Sequence, residues 1–242
     1  MQGRILAGAA TAALMAIGCA PANASLVCAG SGATMCVGLQ ESGVHGGAIT
    51  TEDVQQPYPG VYINNLAYGS FTINNASASD TGWGFGFIDF DSNTRDISST
   101  VNSTLTVYFT EINVSAPLVA DYLSALTENH LQSGWKATLS TWIDADNTPY
   151  AKTTELQKET FSAIGTDQTT GSFDLSGLYS VTEVFQITSG PVVTRSGDNS
   201  TIHLAMAAVP EPTTWGMMLV GFVGLGARFG VRRRKPRLAV LS

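Results

Sequence analysis

Residues 179–187 read Tyr-Ser-Val-Thr-Glu-Val-Phe-Gln-Ile, and this stretch decides the fold class. Its first, third, seventh and ninth positions are apolar, whereas the other positions carry mostly Ser, Thr and Gln. Successive side chains of a strand point to opposite faces, so this period of two predicts a strand with one buried and one wet face. Such alternation is typical of antiparallel sheets.

Similar stretches recur on both sides of it, with turn residues between them, at residues 61–73, 84–90, 105–114, 135–143, 150–161, 172–175 and 200–207. About eight strands within the 185 residues from Ser25 to Val209 predict one all-β domain. We expect an antiparallel β-sandwich, jelly-roll or immunoglobulin-like in layout. Only residues 118–131 offer a pattern that a helix could use.

The charge balance excludes a nucleic-acid partner. Ser25–Val209 holds 18 acidic and 5 basic residues, a net charge of −13, and such a surface repels a phosphate backbone. Charged residues make up only 13% of the whole chain, about half the usual share, while Ser, Thr, Asn and Gly abound. This composition favours an exported β protein over a cytosolic enzyme.

The N-terminus has the pattern of a secretory signal peptide over residues 1–24. One cation, Arg4, precedes the apolar residues 5–17, and small residues stand at Ala22 and Ala24. We therefore expect export by the Sec machinery and cleavage before Ser25. The alternative, a buried N-terminal helix, lacks a second polar face.

Cysteines add two predictions to the N-terminal region. Cys19 ends a short segment, Ala-Ile-Gly-Cys, that loosely resembles a lipobox, so lipidation is the alternative processing route. Cleavage after residue 24 would leave Cys28 and Cys36, an even number in an oxidising compartment, and we expect them to form a disulfide. A metal site is the other interpretation, but two cysteines at this spacing without a histidine pair match no zinc pattern.

The C-terminus predicts a single membrane-spanning helix. The apolar run Trp215–Ala227 has 13 residues, about 20 Å as a helix, and extending it to Val231 gives 17 residues and about 25 Å. A basic cluster then holds that end in the cytoplasm by the positive-inside rule, with residues 236–242 as a cytoplasmic tail. The alternative is a buried helix of a soluble domain. The cluster consists of Arg228, Arg232, Arg233, Arg234 and Lys235.

The same region carries a specific order of residues. Pro210, Glu211 and Pro212 precede Trp215, and a Met-Met pair, a Gly-rich apolar run and the basic cluster follow. This order resembles the PEP-CTERM sorting signal of Gram-negative bacteria, in the Trp-containing variant of alphaproteobacteria, over residues 210–235. The resemblance implies an inner-membrane precursor with a periplasmic ectodomain, residues 25–209. It also implies that an exosortase recognises the Pro-Glu-Pro segment, cleaves nearby and releases the ectodomain to the cell surface or extracellular matrix.

Oxygen ligands at alternate positions mark one candidate metal site. Asp89, Asp91 and Asn93 could gather a calcium ion in a turn, although the segment lacks the glycine and distal Glu of an EF-hand loop. A solvated β-turn is the alternative interpretation. Residues 144–147, Asp-Ala-Asp-Asn, present the same choice. No other cofactor is expected.

No residue is assigned as catalytic from the sequence. His45, His130 and His203 show no metal spacing, and no Gly-x-Ser-x-Gly segment nominates a nucleophile. Parity places Glu183 among apolar neighbours, where burial would raise the pKa of its carboxyl. A carboxylate pair for glycoside hydrolysis could be drawn from Asp89, Asp91, Glu111 or Glu183.

The sequence therefore predicts a non-enzymatic surface or matrix protein associated with exopolysaccharide or biofilm. The alternative is a secreted carbohydrate-active hydrolase with the same sorting signal. Exposed aromatic side chains on a sheet would provide a sugar platform, whereas tryptophans of a sandwich more often lie in its core. The candidates are Trp83, Trp135 and Trp142.

Overall fold

The computed structural model describes residues 35–50, 60–81, 87–115, 119–190 and 194–208, together with Val220 and Phe222. The described residues form eleven β-strands and one short 3₁₀ turn, His45–Gly47. The strands are β1 (Met35–Glu41), β2 (Gly60–Tyr68), β3 (Phe71–Asp80), β4 (Phe87–Ser99), β5 (Thr104–Val114), β6 (Val119–Leu131), β7 (Lys136–Asp144), β8 (Thr154–Phe161), β9 (Gly165–Asp174), β10 (Tyr179–Thr188) and β11 (Thr194–Ala208).

Two antiparallel sheets pack face to face, so the prediction of an all-β sandwich is confirmed. One sheet has five strands in the order β1-β5-β10-β7-β8, and the other has six in the order β2-β3-β4-β11-β6-β9. The chain changes sheet repeatedly, for example between β4 and β5 and between β10 and β11. Strands distant in sequence thereby become neighbours, and this brings β11 between β4 and β6.

The core fills the space between the sheets with the inward-facing side chains of both. Phe109 and Phe185 meet edge to face with ring centroids 5.9 Å apart, and Trp135 is 1% exposed. The indole of Trp135 lies against the backbone of Gly197, where a Cβ atom would sit 2.2 Å from a ring carbon. Only glycine permits this approach, because a real Cβ would clash with the indole.

Residues 119–131, within the one stretch whose pattern a helix could use, form a strand instead. This strand is β6, and burial alternates there along Ala120, Ser124, Leu126 and Glu128 on the inner face. The apolar spacing of four that suggested a helix is also a multiple of two, so it fits one face of a strand equally well.

The stretch 61–73, expected as one strand, is a hairpin. Gly69, at φ 56°, turns the chain between β2 and β3, a conformation that side chains with a Cβ rarely adopt. The structure also adds β1, which the sequence analysis did not propose. β10, Tyr179–Thr188, covers the predicted stretch 179–187 and one further residue.

Several predictions lie outside the described residues: the signal peptide with Ala22, Ala24 and Ser25, the partner cysteine Cys28, and the sorting signal at residues 210–235. Cys36 is buried in β1, but its pairing with Cys28 stays a prediction. Within the part of the chain that the structure describes, no helix has the length and apolar character needed to cross a membrane. Val220 and Phe222, the two described residues of the C-terminal segment, are helical and exposed.

Candidate functional site

The outer face of the six-stranded sheet carries a cluster of polar side chains at its centre. Inward-facing Ile88, Phe90 and Ser92 of β4 are buried, so the alternating residues Asp89 and Asp91 point outward. This segment lies inside strand β4, which corrects the interpretation of residues 89–93 as a turn.

Register brings a histidine beside these aspartates. His203 of β11 is the cross-strand partner of Asp91, and its Nδ1 atom lies 2.6 Å from Asp91 Oδ1 and 3.6 Å from Asp89 Oδ1. One donor atom from each of the three residues falls within 4.8 Å of the others. Thr81 donates a 2.6 Å hydrogen bond to Asp89 Oδ2 and orients that carboxylate. We call Asp89, Asp91 and His203 the outer cluster.

Asn93, the third residue of the proposed calcium set, points outward but is engaged elsewhere. Its amide donates a 2.9 Å hydrogen bond to Ser77 Oγ on β3. The imidazole on β11, rather than this amide, completes the group of side chains around the two aspartates.

A groove of about 840 Å³ opens beside the outer cluster and shares Asp89 with it. Cross-strand register sets Asp89, Ala205, Leu123 and Thr170 in one row over four strands. Ala205 leaves a depression in this row because its side chain is small, and Leu123 is 37% exposed next to it. The remaining lining residues are Ile88, Asp121, Tyr122, Gly171, Ser172 and Met206, so the lining has two carboxyl groups and no cation.

A different set of acids lies between the sheets. Glu183 is 0% exposed, and Ser92 Oγ donates a hydrogen bond to its Oε2 atom. Burial raises the pKa of the Glu183 carboxyl well above its ordinary value, and the nearby charge of Asp91 adds to the effect, whereas the Ser92 bond opposes it. The prediction that parity buries Glu183 is confirmed, and burial favours the neutral form of its carboxyl.

Ser200 joins two further buried acids. Its hydroxyl lies 2.7 Å from Glu128 Oε2 and 2.9 Å from Asp198 Oδ1, and Thr94 donates a 2.8 Å bond to Asp198 Oδ2. A hydroxyl has a single proton to donate, so bonding to both carboxyls requires one of them to be protonated. Burial, with the charge of Asp198, raises the pKa of Glu128 to about 8, in agreement with this requirement.

Glu111 and Asp80 form a second pair of buried acids. Burial raises the pKa of Glu111 to about 8, and the charge of Asp80 and a hydrogen bond with it contribute further. Both residues are at most 3% exposed. Two carboxyls that share a hydrogen bond must share a proton, so this pair has at most one negative charge below that pKa.

The structure separates the carboxylates that the sequence grouped for glycoside hydrolysis. Glu111 and Glu183 lie in the interior, whereas Asp89 lines the groove and Asp91 stands beside it. Asp121, which the sequence analysis did not single out, lines the same groove. The alternation along β6 places Asp121 on the outer face, but its proximity to Asp89 depends on the strand order β4-β11-β6.

The other candidates occupy structural positions. Trp135 belongs to the core, and half-buried Trp142 donates from Nε1 to Ser140 Oγ at 2.8 Å. Asp144 accepts a 2.9 Å bond from the Thr148 amide, which supports the turn interpretation of residues 144–147. Trp83 lies outside the described residues.

Comparison with protein families supports the C-terminal resemblance. The model of the PEP-CTERM protein-sorting motif matches residues 208–235, which include Pro210, Glu211, Pro212 and Trp215. The Trp-containing variant and the alphaproteobacterial origin stay predictions. No curated protein matches the chain.

Two solved structures share the β architecture at low similarity. The K1 adhesin domain of Lys-gingipain from Porphyromonas gingivalis is 10% identical, with 62% of this chain and 99% of that chain covered and a TM-score of 0.35. A CBM35 domain from Paenibacillus barcinonensis is 14% identical, with 61% and 98% covered and a TM-score of 0.24. At these scores the likenesses carry no information on function.

Proposed function

We propose, from the premise that the chain is a PEP-CTERM sorting-domain protein, exported and processed by an exosortase, that its sandwich is a non-enzymatic surface module that binds a neutral exopolysaccharide. The sorting motif delivers the domain to the cell surface or matrix, where polysaccharide surrounds it. The observation that carries the binding proposal is the open groove on the outer face of the six-stranded sheet.

The chemistry of the groove favours a neutral polymer. Asp89 and Asp121 accept hydrogen bonds from sugar hydroxyls, and Leu123 with Ala205 offers an apolar surface to the C–H face of a sugar ring. The lining has two carboxyl groups and no cation, so an anionic polymer would be repelled. Uncharged chains with many hydroxyls remain the best fit.

The proposed route begins with Sec-dependent export and removal of residues 1–24. The precursor is then held in the inner membrane by the C-terminal segment, with the basic cluster in the cytoplasm and residues 25–209 in the periplasm. The exosortase binds Pro210, Glu211 and Pro212, where two prolines keep the chain extended. Cleavage near this segment frees the sandwich, since the last strand ends at Ala208.

Filling the groove tests the binding proposal. Ala205→Trp places an indole in the depression, and we expect the variant protein, expressed as the full chain and collected from the cell surface, to lose at least tenfold in retention on an insoluble β-glucan. Thr166→Trp is the matched control, because Thr166 faces outward on β9 but lies outside the groove. Equal retention of both variants, or preferential retention on alginate, would refute polysaccharide binding in the groove.

Replacing the acid of the sorting segment tests the processing route. We expect Glu211→Ala to leave the full-length form in the inner-membrane fraction, whereas Thr213→Ala, two residues away, is released normally. Intact mass and terminal sequencing of the released form locate both cleavage sites. Unchanged release of Glu211→Ala would contradict recognition of the Pro-Glu-Pro segment.

A disulfide between Cys28 and Cys36 belongs to the same proposal, because the mature protein folds in an oxidising compartment. The released form should then have no titratable thiol until it is reduced and denatured. Titration of two thiols without reductant would exclude the bridge.

A carbohydrate-active hydrolase is the second candidate, favoured by the presence of two aspartates, Asp89 and Asp121, along one groove. A hydrolase would release reducing ends from the polymer that it retains, and Asp121→Asn would abolish this release. Retention without any release of reducing ends would leave the binding module as the function.

A further inference from the structure

We infer that the outer cluster, Asp89, Asp91 and His203, is a binding site for one divalent transition-metal ion, with Zn²⁺ as the best fit. Nitrogen and carboxylate oxygen ligands of zinc lie about 2.0–2.2 Å from the ion. Two ligand atoms of a tetrahedral ion at that distance are about 3.3 Å apart. His203 Nδ1 lies 2.6 Å from Asp91 Oδ1 and 3.6 Å from Asp89 Oδ1, so one distance is shorter and the other longer than this value.

The backbone positions these three side chains in advance. Asp89 and Asp91 are alternate residues of β4, and His203 lies on β11, the strand that β4 pairs with through nine consecutive partners from Arg95–Asn199 to Phe87–Ala207. Both strands have neighbours on each side within the sheet. Binding therefore requires small rotations of side chains and no movement of a loop.

The donor set distinguishes zinc from calcium. Calcium takes six to eight oxygen ligands, whereas an imidazole nitrogen is a usual ligand of zinc and other transition metals. As metal ligands, the two carboxylates bring two negative charges and the imidazole none, so a divalent ion neutralises the set. Aspartates alone would give no preference for zinc over calcium, so the inference depends on His203.

The surroundings of the outer cluster favour a cation. The neighbouring groove has a second acid, Asp121, and no cation in its lining. Arg95 lies on the same face of β4, and its Nε atom is 3.8 Å from Asp96 Oδ2. The carboxylate of Asp96 partly offsets the charge of this arginine. Three protein ligands leave a fourth position for water, as in zinc sites that accept an external ligand. Because Asp89 belongs to both sites, a molecule in the groove would lie next to the ion.

Calorimetric titration of the full chain, purified in a mild detergent, with ZnCl₂ tests this inference. We expect one Zn²⁺ per chain to be bound at the outer cluster, and His203→Ala or Asp91→Asn to weaken that binding at least tenfold, because even loss of a second-shell partner costs about 10–100-fold. His130→Ala is the matched control, since His130 lies on the exposed part of β6. Thermal denaturation without metal checks that each variant is folded.

Two results would overturn the inference. Zinc bound equally well by His203→Ala and the unmodified chain would leave the histidine without a role as a ligand. Displacement of the bound Zn²⁺ by an equal concentration of Ca²⁺ would identify an unselective acidic surface. Neither result bears on polysaccharide retention, which Ala205→Trp tests separately.

Discussion

Asp91 and Ser92 are neighbours in β4, and they show how differently the two faces of one strand use a carboxyl group. Asp91 points outward and meets His203 at the wet surface of the sheet. Ser92 points inward and donates to Glu183, which is 0% exposed between the sheets. One step along the backbone therefore separates a half-exposed acid near a groove from a serine that bonds to an acid in the core.

The difference teaches that burial, rather than residue type, assigns the role of each acid. Burial favours the neutral form of an interior carboxyl, and a hydroxyl of the facing sheet bonds to it, as Ser92 does to Glu183. An outward carboxyl in water needs no such compensation and keeps its oxygens for a ligand. Interior acids should therefore affect stability and its pH dependence, whereas outer acids should affect binding.

The pH dependence of unfolding should give the largest effect. Glu111 loses its proton near the ordinary pKa of 4.5 in the unfolded chain but at about 8 in the folded one. Between these values the folded state binds more protons, so stability is highest below about pH 4.5 and falls as the pH rises toward 8. The loss is up to about 1.4 kcal/mol per pH unit for each such group, and Glu128 behaves likewise.

Urea unfolding at a series of pH values between 4 and 9 measures this slope. We expect Glu111→Gln to flatten it, because an amide cannot titrate, and Asp121→Asn, at an exposed acid of the outer face, to leave it unchanged. A slope that is the same in both variants would contradict the assignment of Glu111 as a neutral interior acid.

Truncation of the interior acid Glu183 and of the outer acid Asp91 should give the next largest contrast. Glu183→Ala removes a buried side chain and leaves the Ser92 hydroxyl without its acceptor, so we expect a loss of about 3 kcal/mol in the free energy of unfolding. Asp91→Ala at the half-exposed surface should cost about 0.5 kcal/mol or less. Equilibrium urea unfolding at pH 7 measures both, and similar losses would remove the distinction between the faces.

Much of the fold follows from local pattern, because strand parity is a local property. The alternation along residues 179–187 predicts β10 at the residues where it occurs, and the same parity places Glu183 inward. The pattern fails where two periods coincide, as in β6, and where a turn interrupts an alternating run, as at Gly69. β1 escaped notice because six of its seven residues are buried, so its sequence does not alternate between apolar and polar residues.

The candidate site depends on information that the local pattern lacks. Parity places Asp89, Asp91 and His203 on outward faces, but Asp91 and His203 are 112 residues apart. Their contact depends on the pairing of β4 with β11 and on the register of that pair. The sequence consequently grouped Asp89 and Asp91 with Asn93, the next oxygen ligand at an alternate position, rather than with an imidazole across the sheet.

The Ser200 hydroxyl offers a smaller test of the interior. Ser200→Ala removes the bridge between Glu128 and Asp198 and brings two buried carboxyls together without a mediator. We expect a loss of about 1–2 kcal/mol at pH 7, and a smaller loss at pH 4, where both carboxyls are protonated. Ser77→Ala on the outer face serves as the control in the same unfolding assay. A loss that is no greater at pH 7 than at pH 4 would show that the hydroxyl does not compensate charge.

Asn93→Ala should have the smallest effect on stability. It also tests whether His203 or Asn93 is the third metal ligand beside Asp89 and Asp91. Asn93 is half-buried on the outer face and its amide donates to Ser77 Oγ, so its loss should change stability by about 0.5 kcal/mol or less. If His203 completes the site, the zinc dissociation constant stays within about twofold of that of the unmodified chain. Calorimetric titration of this variant with ZnCl₂ measures the constant. If the ligands were instead Asp89, Asp91 and Asn93, Asn93→Ala would weaken zinc binding and His203→Ala would not.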